Sequence, residues 1–129
     1  MQTKISNAQY EGYLDYNANG GNDTQDKIFL LSYREANKYF EVAWENHQNK
    51  KSHIVPTDYA IMQGASTNSS NKTEGGKAAG YWWLRSPGYR QYYAASVSSD
   101  GSLYYSYVNF ADASVRPAFY LNLKTYATA

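Results

Sequence analysis

The sequence predicts an α+β domain. Helical patterns are short and confined to residues 32–64, strand patterns fill the C-terminal third, and the two do not alternate as β–α–β units. At 129 residues the chain makes a single domain spanning 1–129.

Taken in order, residues 1–26 read as irregular. Tyr10, Tyr13, Leu14 and Tyr16 sit among Gly, Asn and Asp, and 17–24 is a loop by composition. Residues 26–31 form a short apolar run, the mark of a buried strand. Ser32 with Glu35 three positions on has capping-box spacing, and Ala36, Tyr39, Phe40 and Ala43 continue at helical spacing. The first helix therefore runs from about Tyr33 to Phe40 or Trp44, and 45–51 is a polar loop. Pro56-Thr57-Asp58 opens a second short helix through Tyr59, Ala60 and Met62 that Gly64 ends. Residues 65–80 show no apolar period and read as a long mobile loop.

The final third is β by pattern. Trp82-Trp83-Leu84 starts a strand that Pro87-Gly88 ends, and Trp82, sharing a face with Leu84, belongs to the core. Asp100-Gly101 signals a hairpin. A two-residue loop would put Val97 and Leu103 on opposite faces; a three-residue loop, Ser99-Asp100-Gly101 with Gly left-handed, pairs them. The second choice turns Ala95, Val97, Leu103 and Tyr105 inward and Ser96, Ser98, Tyr104 and Ser106 outward. Last, Val115, Pro117, Phe119, Leu121 and Leu123 alternate with polar or small neighbours, which predicts a half-buried closing strand. Pro117 within it requires an edge or a bulge.

Composition excludes several function classes. A net charge of +1 gives no electrostatic case for nucleic acid or an anionic membrane. No apolar run approaches the roughly 20 residues needed to cross a bilayer, so no membrane insertion is expected. The first residues carry no signal-peptide h-region, which leaves a cytoplasmic protein or a piece of a larger exported chain. Without cysteine there is no disulfide, thiol nucleophile, thiolate zinc site or iron–sulfur cluster. Leu, Ile, Val and Phe together make about 16% of the chain, while Tyr occurs 15 times. The core is therefore expected to be thin in aliphatics and rich in half-buried rings.

Five motifs follow one another: Asp26-Lys27-Ile28-Phe29-Leu30-Leu31-Ser32 with Glu35-Ala36 and Tyr39-Phe40; Pro56-Thr57-Asp58-Tyr59-Ala60 with Gly64-Ala65; Trp82-Trp83-Leu84-Arg85-Ser86-Pro87-Gly88; Asp100-Gly101; and Val115-Arg116-Pro117-Ala118. Over roughly residues 22–123 the chain resembles a bacterial domain family of unassigned function, itself similar to the C-type-lectin-like fold in its formylglycine-generating-enzyme-like version. The resemblance implies two short helices, a twisted antiparallel β-sheet with long loops, and further strands before residue 1. It is also similar to the variable proteins of diversity-generating retroelements, whose rewritten codons yield Tyr, Ser, Asn, Asp, Phe and Ala on a fixed scaffold. Residues 89–114 have that palette, which implies ligand binding by solvent-facing side chains, on a cell surface or outside the cell as part of a larger chain of bacterial or phage origin. Formylglycine-generating chemistry depends on cysteines and does not carry over. The Glu-Pro-Asn, Gln-Pro-Asp and Trp-Asn-Asp motifs of calcium-dependent sugar binding are absent as well.

The remaining candidates are weighed individually. Asp15, Asn17, Asn19, Asp23 and Asp26 fall at calcium-loop spacing with Gly20 at the sixth position. Asn22 stands where such loops are apolar, position 12 is Asp rather than Glu, and a strand follows, so the segment reads as a surface turn. His47 and His53 lie in a polar segment without a third partner and read as solvated. Arg85 and Arg116, each in a strand pattern beside aromatics, read as structural arginines bonded to carbonyls or a buried carboxylate. No nucleophile–base or carboxylate pair has supporting context, so no catalytic residue, metal or cofactor is assigned.

What remains is recognition. Tyr gives large contact area at small entropic cost, and Ser and Asn give adaptable hydrogen bonds. The candidate ligand-binding residues are Tyr89, Arg90, Gln91, Tyr92, Tyr93, Ser96, Ser98, Tyr104, Ser106, Asn109, Phe110, Asp112 and Ser114. The expected partner is a protein or glycan on another surface. The alternative is a carbohydrate-binding or adhesion domain without diversification; an enzyme is the weakest reading.

Overall fold

The computed structural model describes residues 2–43 and 50–123. Among them the chain is mixed α and β, with two short α-helices and several small antiparallel sheets.

The N-terminal segment is more ordered than its composition suggests. Strand β1 (Thr3–Ile5) pairs antiparallel with β2 (Thr24–Asp26), which buries Ile5. A 3₁₀ turn, Gln9–Glu11, lies between them. The strand expected over 26–31 is divided: β2 ends at Asp26, and β3 is Phe29–Leu30. Phe29 and Leu31 are buried while Ile28 is exposed, so the apolar run is not one buried run.

Helix α1 (Tyr33–Phe40) begins as its spacing predicts. Ser32 Oγ accepts from the Glu35 N–H at 3.1 Å, and Glu35 Oε1 accepts from the Ser32 N–H at 2.9 Å. Glu41 ends it in the left-handed region at φ 56°; Trp44, the alternative end, and His47 lie outside the described residues. Helix α2 (Asp58–Met62) is capped by Thr57, whose hydroxyl accepts from the Ala60 N–H at 3.1 Å, and Gly64 at φ 107° turns the chain away.

Residues 65–80 are not a loop. Strand β4 (Thr67–Lys72) pairs with β5 (Ala78–Gly80) across a turn that holds Gly76 at φ 80°. The β4 side chains lie almost wholly in solvent, so this polar hairpin left no apolar period to read.

The central sheet is β6 (Trp82–Pro87), β7 (Tyr93–Val97) and β8 (Leu103–Tyr107), in that order and antiparallel. Val97 pairs with Leu103, as the three-residue loop requires. Gly101 takes φ 86° and donates to the Ser98 carbonyl at 2.8 Å, and Ser98 donates to Ser102 at 2.9 Å.

The closing strand is short. Only β9 (Pro117–Ala118) forms, antiparallel to β3. Its expected inward residues are out: Val115, Phe119, Leu121 and Leu123 are all more than half exposed. The side turned inward carries Arg116 and Ala118 instead. Arg116 reverses the parity because its guanidinium lies on aromatic faces, 4.0 Å from the Phe40 ring centre and 4.9 Å from that of Trp82. The expected carbonyl bonds are not what holds it; its Nη1 is buried without a hydrogen-bond partner among the described residues.

Trp82 is the centre of the core, fully buried, with Leu84, Val97, Leu103, Phe29 and Ala36 around it. Its indole N–H donates to the Ser52 carbonyl at 3.0 Å, and Ser52 Oγ donates to the Gly101 carbonyl at 2.7 Å, so one serine ties the core to the hairpin turn. Arg85 is structural as expected. It donates to the carbonyls of Leu30 and Ser6 and to the Glu35 carboxylate.

Candidate functional site

The β7–β8 hairpin carries the aromatic cluster, and its register explains which rings are free. Tyr93, Tyr105 and Tyr107 alternate onto the face that Val97 and Leu103 bury further along. The cluster is therefore the core face running out to the surface. The loop between β6 and β7 folds back onto it: Gly88 N donates to the Tyr93 carbonyl at 3.0 Å, and Tyr93 N to that of Arg90 at 3.0 Å. This brings Tyr89 within 5.0 Å of Tyr93 and 4.9 Å of Tyr105, centre to centre. Tyr92 lies 4.7 Å from Tyr93 and stacks on Tyr107 at 6.0 Å. Tyr16 anchors the underside, edge-on to Tyr105 at 5.7 Å.

The rings divide into supports and contacts. Tyr93 and Tyr105 are half-buried, while Tyr89, Tyr92, Tyr104 and Tyr107 are 38%, 52%, 45% and 56% exposed. Hydroxyl contacts with Tyr107 and Tyr89 hold the Tyr93 phenol proton, pushing its pKa above the usual 10.0. The contact to Tyr89 acts likewise on Tyr105. Arg90, exposed, lies over the Tyr89 ring at 5.7 Å.

Tyr104 belongs to the opposite face by register but stacks beside Tyr105 at 5.1 Å on the edge strand, so it extends the same aromatic surface. Its expected companions do not. Ser96 is fully buried and Ser106 nearly so, their hydroxyls 3.3 Å apart. In the register Ser96 stands between Trp83 and Tyr104, and a small residue between two large ones is covered by them. Ser98 is half-buried. Ser114 is also buried. Its backbone joins β6, donating to the Tyr81 carbonyl at 2.9 Å and accepting from Trp83 at 3.1 Å. Gln91, Asn109 and Asp112 are exposed, whereas Phe110 is half-buried edge-on to Tyr81 and Trp83.

A second feature adjoins the cluster. Loop 17–21 packs beside the Gln9–Glu11 turn and is tied to loop 88–91, with Ala18 N donating to the Gly88 carbonyl at 3.3 Å and the Gln91 amide to that of Asn19 at 3.5 Å. Between them is a cavity of about 360 Å³ walled by Asn7, Gln9, Tyr16, Asn17, Asn19 and Pro87. Sequence reasoning left it out because it needs three distant segments to meet. The Asn/Gly palette of 17–21 was its only signal. Three of the five residues at calcium-loop spacing are engaged separately: Asn19 Oδ1 accepts from Gly21, Asp23 Oδ1 from the Asn7 N–H, and Asp26 from the Thr24 hydroxyl. His53 Nδ1 lies 3.2 Å from the Lys72 carbonyl, and its Nε2 is buried rather than solvated.

A family model described as a domain of unknown function (DUF6273) matches residues 1–123. No curated protein and no solved structure matches the chain.

Proposed function

We propose that this chain, which belongs to the DUF6273 family of domains of unknown function, is a non-enzymatic recognition module. Its contact face is the tyrosine cluster of loop 88–93 and the β7–β8 hairpin, and its target is a protein or glycan on another surface. The observation that carries this reading is the pairing of exposed rings, Tyr89, Tyr92, Tyr104 and Tyr107, with half-buried rings beneath that fix them in place. Rigid aromatic anchors lose little entropy on binding, and exposed aromatic patches of this kind mark interaction sites. The lectin-like architecture remains part of the proposal, supported by the two short helices and small antiparallel sheets.

The test is a binding screen of the domain against arrays of glycans and of cell-surface proteins, repeated with a Tyr92→Ala/Tyr104→Ala/Tyr107→Ala variant. Specific hits that vanish in the variant support the reading; hits retained at full strength overturn it. Diversification is tested by sequencing the locus across a population. Changes should concentrate at exposed positions such as Tyr92, Tyr104, Tyr107, Asn109 and Asp112 and spare the buried Ser96, Ser106 and Ser114. Changes spread evenly along the chain would exclude it.

The second reading, a carbohydrate-binding domain without diversification, is favoured by the amide-lined cavity beside the cluster.

A further inference from the structure

We infer that the cavity between the Gln9–Glu11 turn and loop 17–21 is a binding site for a neutral saccharide, an extension of the recognition face that rests on that face's proposed role.

The wall is built, and two of its four side-chain amides are unengaged among the described residues. Asn7 Nδ2 donates to the Asn22 carbonyl at 2.8 Å, and Asn19 Oδ1 accepts from Gly21 N at 2.8 Å, so these two amides shape the loop. Gly20 lets the loop close on Asn7. A Cβ there would stand 2.9 Å from the Asn7 carbonyl oxygen, well inside contact distance. Gln9 and Asn17 are different. Both are exposed, both line the cavity, and neither side-chain amide has a hydrogen-bond partner among the described residues.

The chemistry of the lining selects the ligand. An amide both donates and accepts, which matches a hydroxyl that does the same. Among the described residues no charged side chain lines the cavity, so an ionic ligand would bury its charge without a counter-ion. An apolar ligand would leave the two free amides unpaired. The volume, about 360 Å³, falls at the small end of ligand sites, which run from about 300 to 1,000 Å³. A neutral peptide backbone also donates and accepts, but peptides are held chiefly by side-chain anchors in apolar pockets. Here the apolar surface of Ala8, Tyr16, Ala18 and Pro87 is interrupted by amides, a mixed lining that suits the hydroxyls and C–H faces of a sugar better than an apolar anchor. Gln91 and Gly88 join the loop to the segment bearing Tyr89, whose exposed ring can meet the apolar face of a neighbouring sugar unit.

The experiment is saturation-transfer NMR with soluble neutral oligosaccharides of glucose, galactose, mannose and N-acetylhexosamines, beside sialylated and sulfated counterparts and a neutral peptide pool. A neutral saccharide should bind, and titrating it into the unaltered protein should shift the backbone amide signals of residues 17–21. Gln9→Ala/Asn17→Ala should weaken it about tenfold, the loss of two modest hydrogen bonds, with thermal stability unchanged. Binding confined to acidic glycans or to peptides, no binding from the panel, or a neutral saccharide unaffected by the double variant each overturns the assignment. The aromatic face is read separately. If a protein target is lost in the Tyr92/Tyr104/Tyr107 variant and no neutral saccharide binds the unaltered protein, the recognition face stands and the saccharide site falls. If a neutral saccharide is lost in the Gln9/Asn17 variant while every array hit survives the Tyr92/Tyr104/Tyr107 variant, the site stands and the aromatic face loses its role.

Discussion

Arg85 on β6 donates its Nη1 to Glu35 Oε1 in the first turn of α1, joining side chains 50 residues apart. The same guanidinium reaches the carbonyls of Leu30 at 2.9 Å and Ser6 at 3.1 Å, so one residue ties β1, β3 and α1 to the central sheet. Both partners are mostly buried, at 13% and 18% side-chain exposure. Arg85 also lies 3.9 Å from the buried Glu11 carboxylate, so removing the arginine takes the cation from both acids. Arg85→Ala should therefore cost about 3–5 kcal/mol, and Arg85→Lys should recover little, because a single ammonium cannot span the same acceptors. Urea denaturation measures it; a loss under about 1 kcal/mol would show that the pair is dispensable.

Glu35 also sets an acid limit. Burial alone would push its carboxyl up, but the Ser32 N–H and Arg85 outweigh burial and hold it below the usual 4.5. The folded value lies below the unfolded one. Its contribution is thus complete above 4.5 and fades as pH falls through the folded value. Chemical denaturation across this window should show a stability slope that Glu35→Gln flattens. An unchanged slope in the variant would assign the acid sensitivity elsewhere.

Arg116 should behave unlike Arg85. Its guanidinium is held by the Phe40 and Trp82 rings, and burial lowers its pKa. Flat stacking is what a guanidinium does and an ammonium does less well. Both Arg116→Lys and Arg116→Ala should destabilise the domain, the alanine more, by about 2 kcal/mol for a desolvated contact. Trp82 fluorescence should change in the folded variants, since the cation is removed from its face. A fully stable Arg116→Ala protein with unchanged fluorescence would overturn this role.

These arginines mark where sequence was legible and where it was not. The α1 cap needs only Ser32 and Glu35, three residues apart, and the hairpin register needs only the parity of Val97 and Leu103 about Gly101. Both are local, and both are as the sequence predicts. The closing strand misled because alternation marks two faces but not which is inside. Arg116 turns inward on its stacked rings and leaves Phe119 and Leu121 in solvent. Ser96 and Ser106 misled for a related reason. Ser96 is covered because the register sets it between Trp83 and Tyr104, and Ser106, opposite Ala94, is buried with its hydroxyl 3.3 Å from that of Ser96. Of the candidate site, the tyrosines were legible as a group; which are supports and which are contacts depended on the fold of loop 88–93.

That loop depends on Gly88. A Cβ on Gly88 would lie 2.5 Å from Tyr93 Cβ and 3.2 Å from its carbonyl carbon, so no side chain fits without parting the loop from β7. Gly88→Ala should cost about 1–3 kcal/mol and weaken the near-ultraviolet circular dichroism of the tyrosine cluster. Tyr107→Ala, at an exposed ring whose hydroxyl meets that of Tyr93, should cost less, at most about 1 kcal/mol. Equal effects from the two substitutions would contradict the division into supports and contacts.

The tyrosines also set an alkaline limit. Burial pushes Tyr16 and Tyr33 above the usual 10.0, and hydroxyl contacts do so for Tyr93 and Tyr105. A raised folded value means that the neutral phenol is favoured by folding. The contribution is whole below 10.0 and is lost as pH rises through the folded values. Spectrophotometric titration should therefore show a group of phenols that ionises only as the protein unfolds. Tyr16→Phe keeps the ring against Tyr105 but removes the buried phenol, so it should move alkaline unfolding to higher pH. A single titration step near 10.0 with the fold intact would show that these hydroxyls are not held by the cluster.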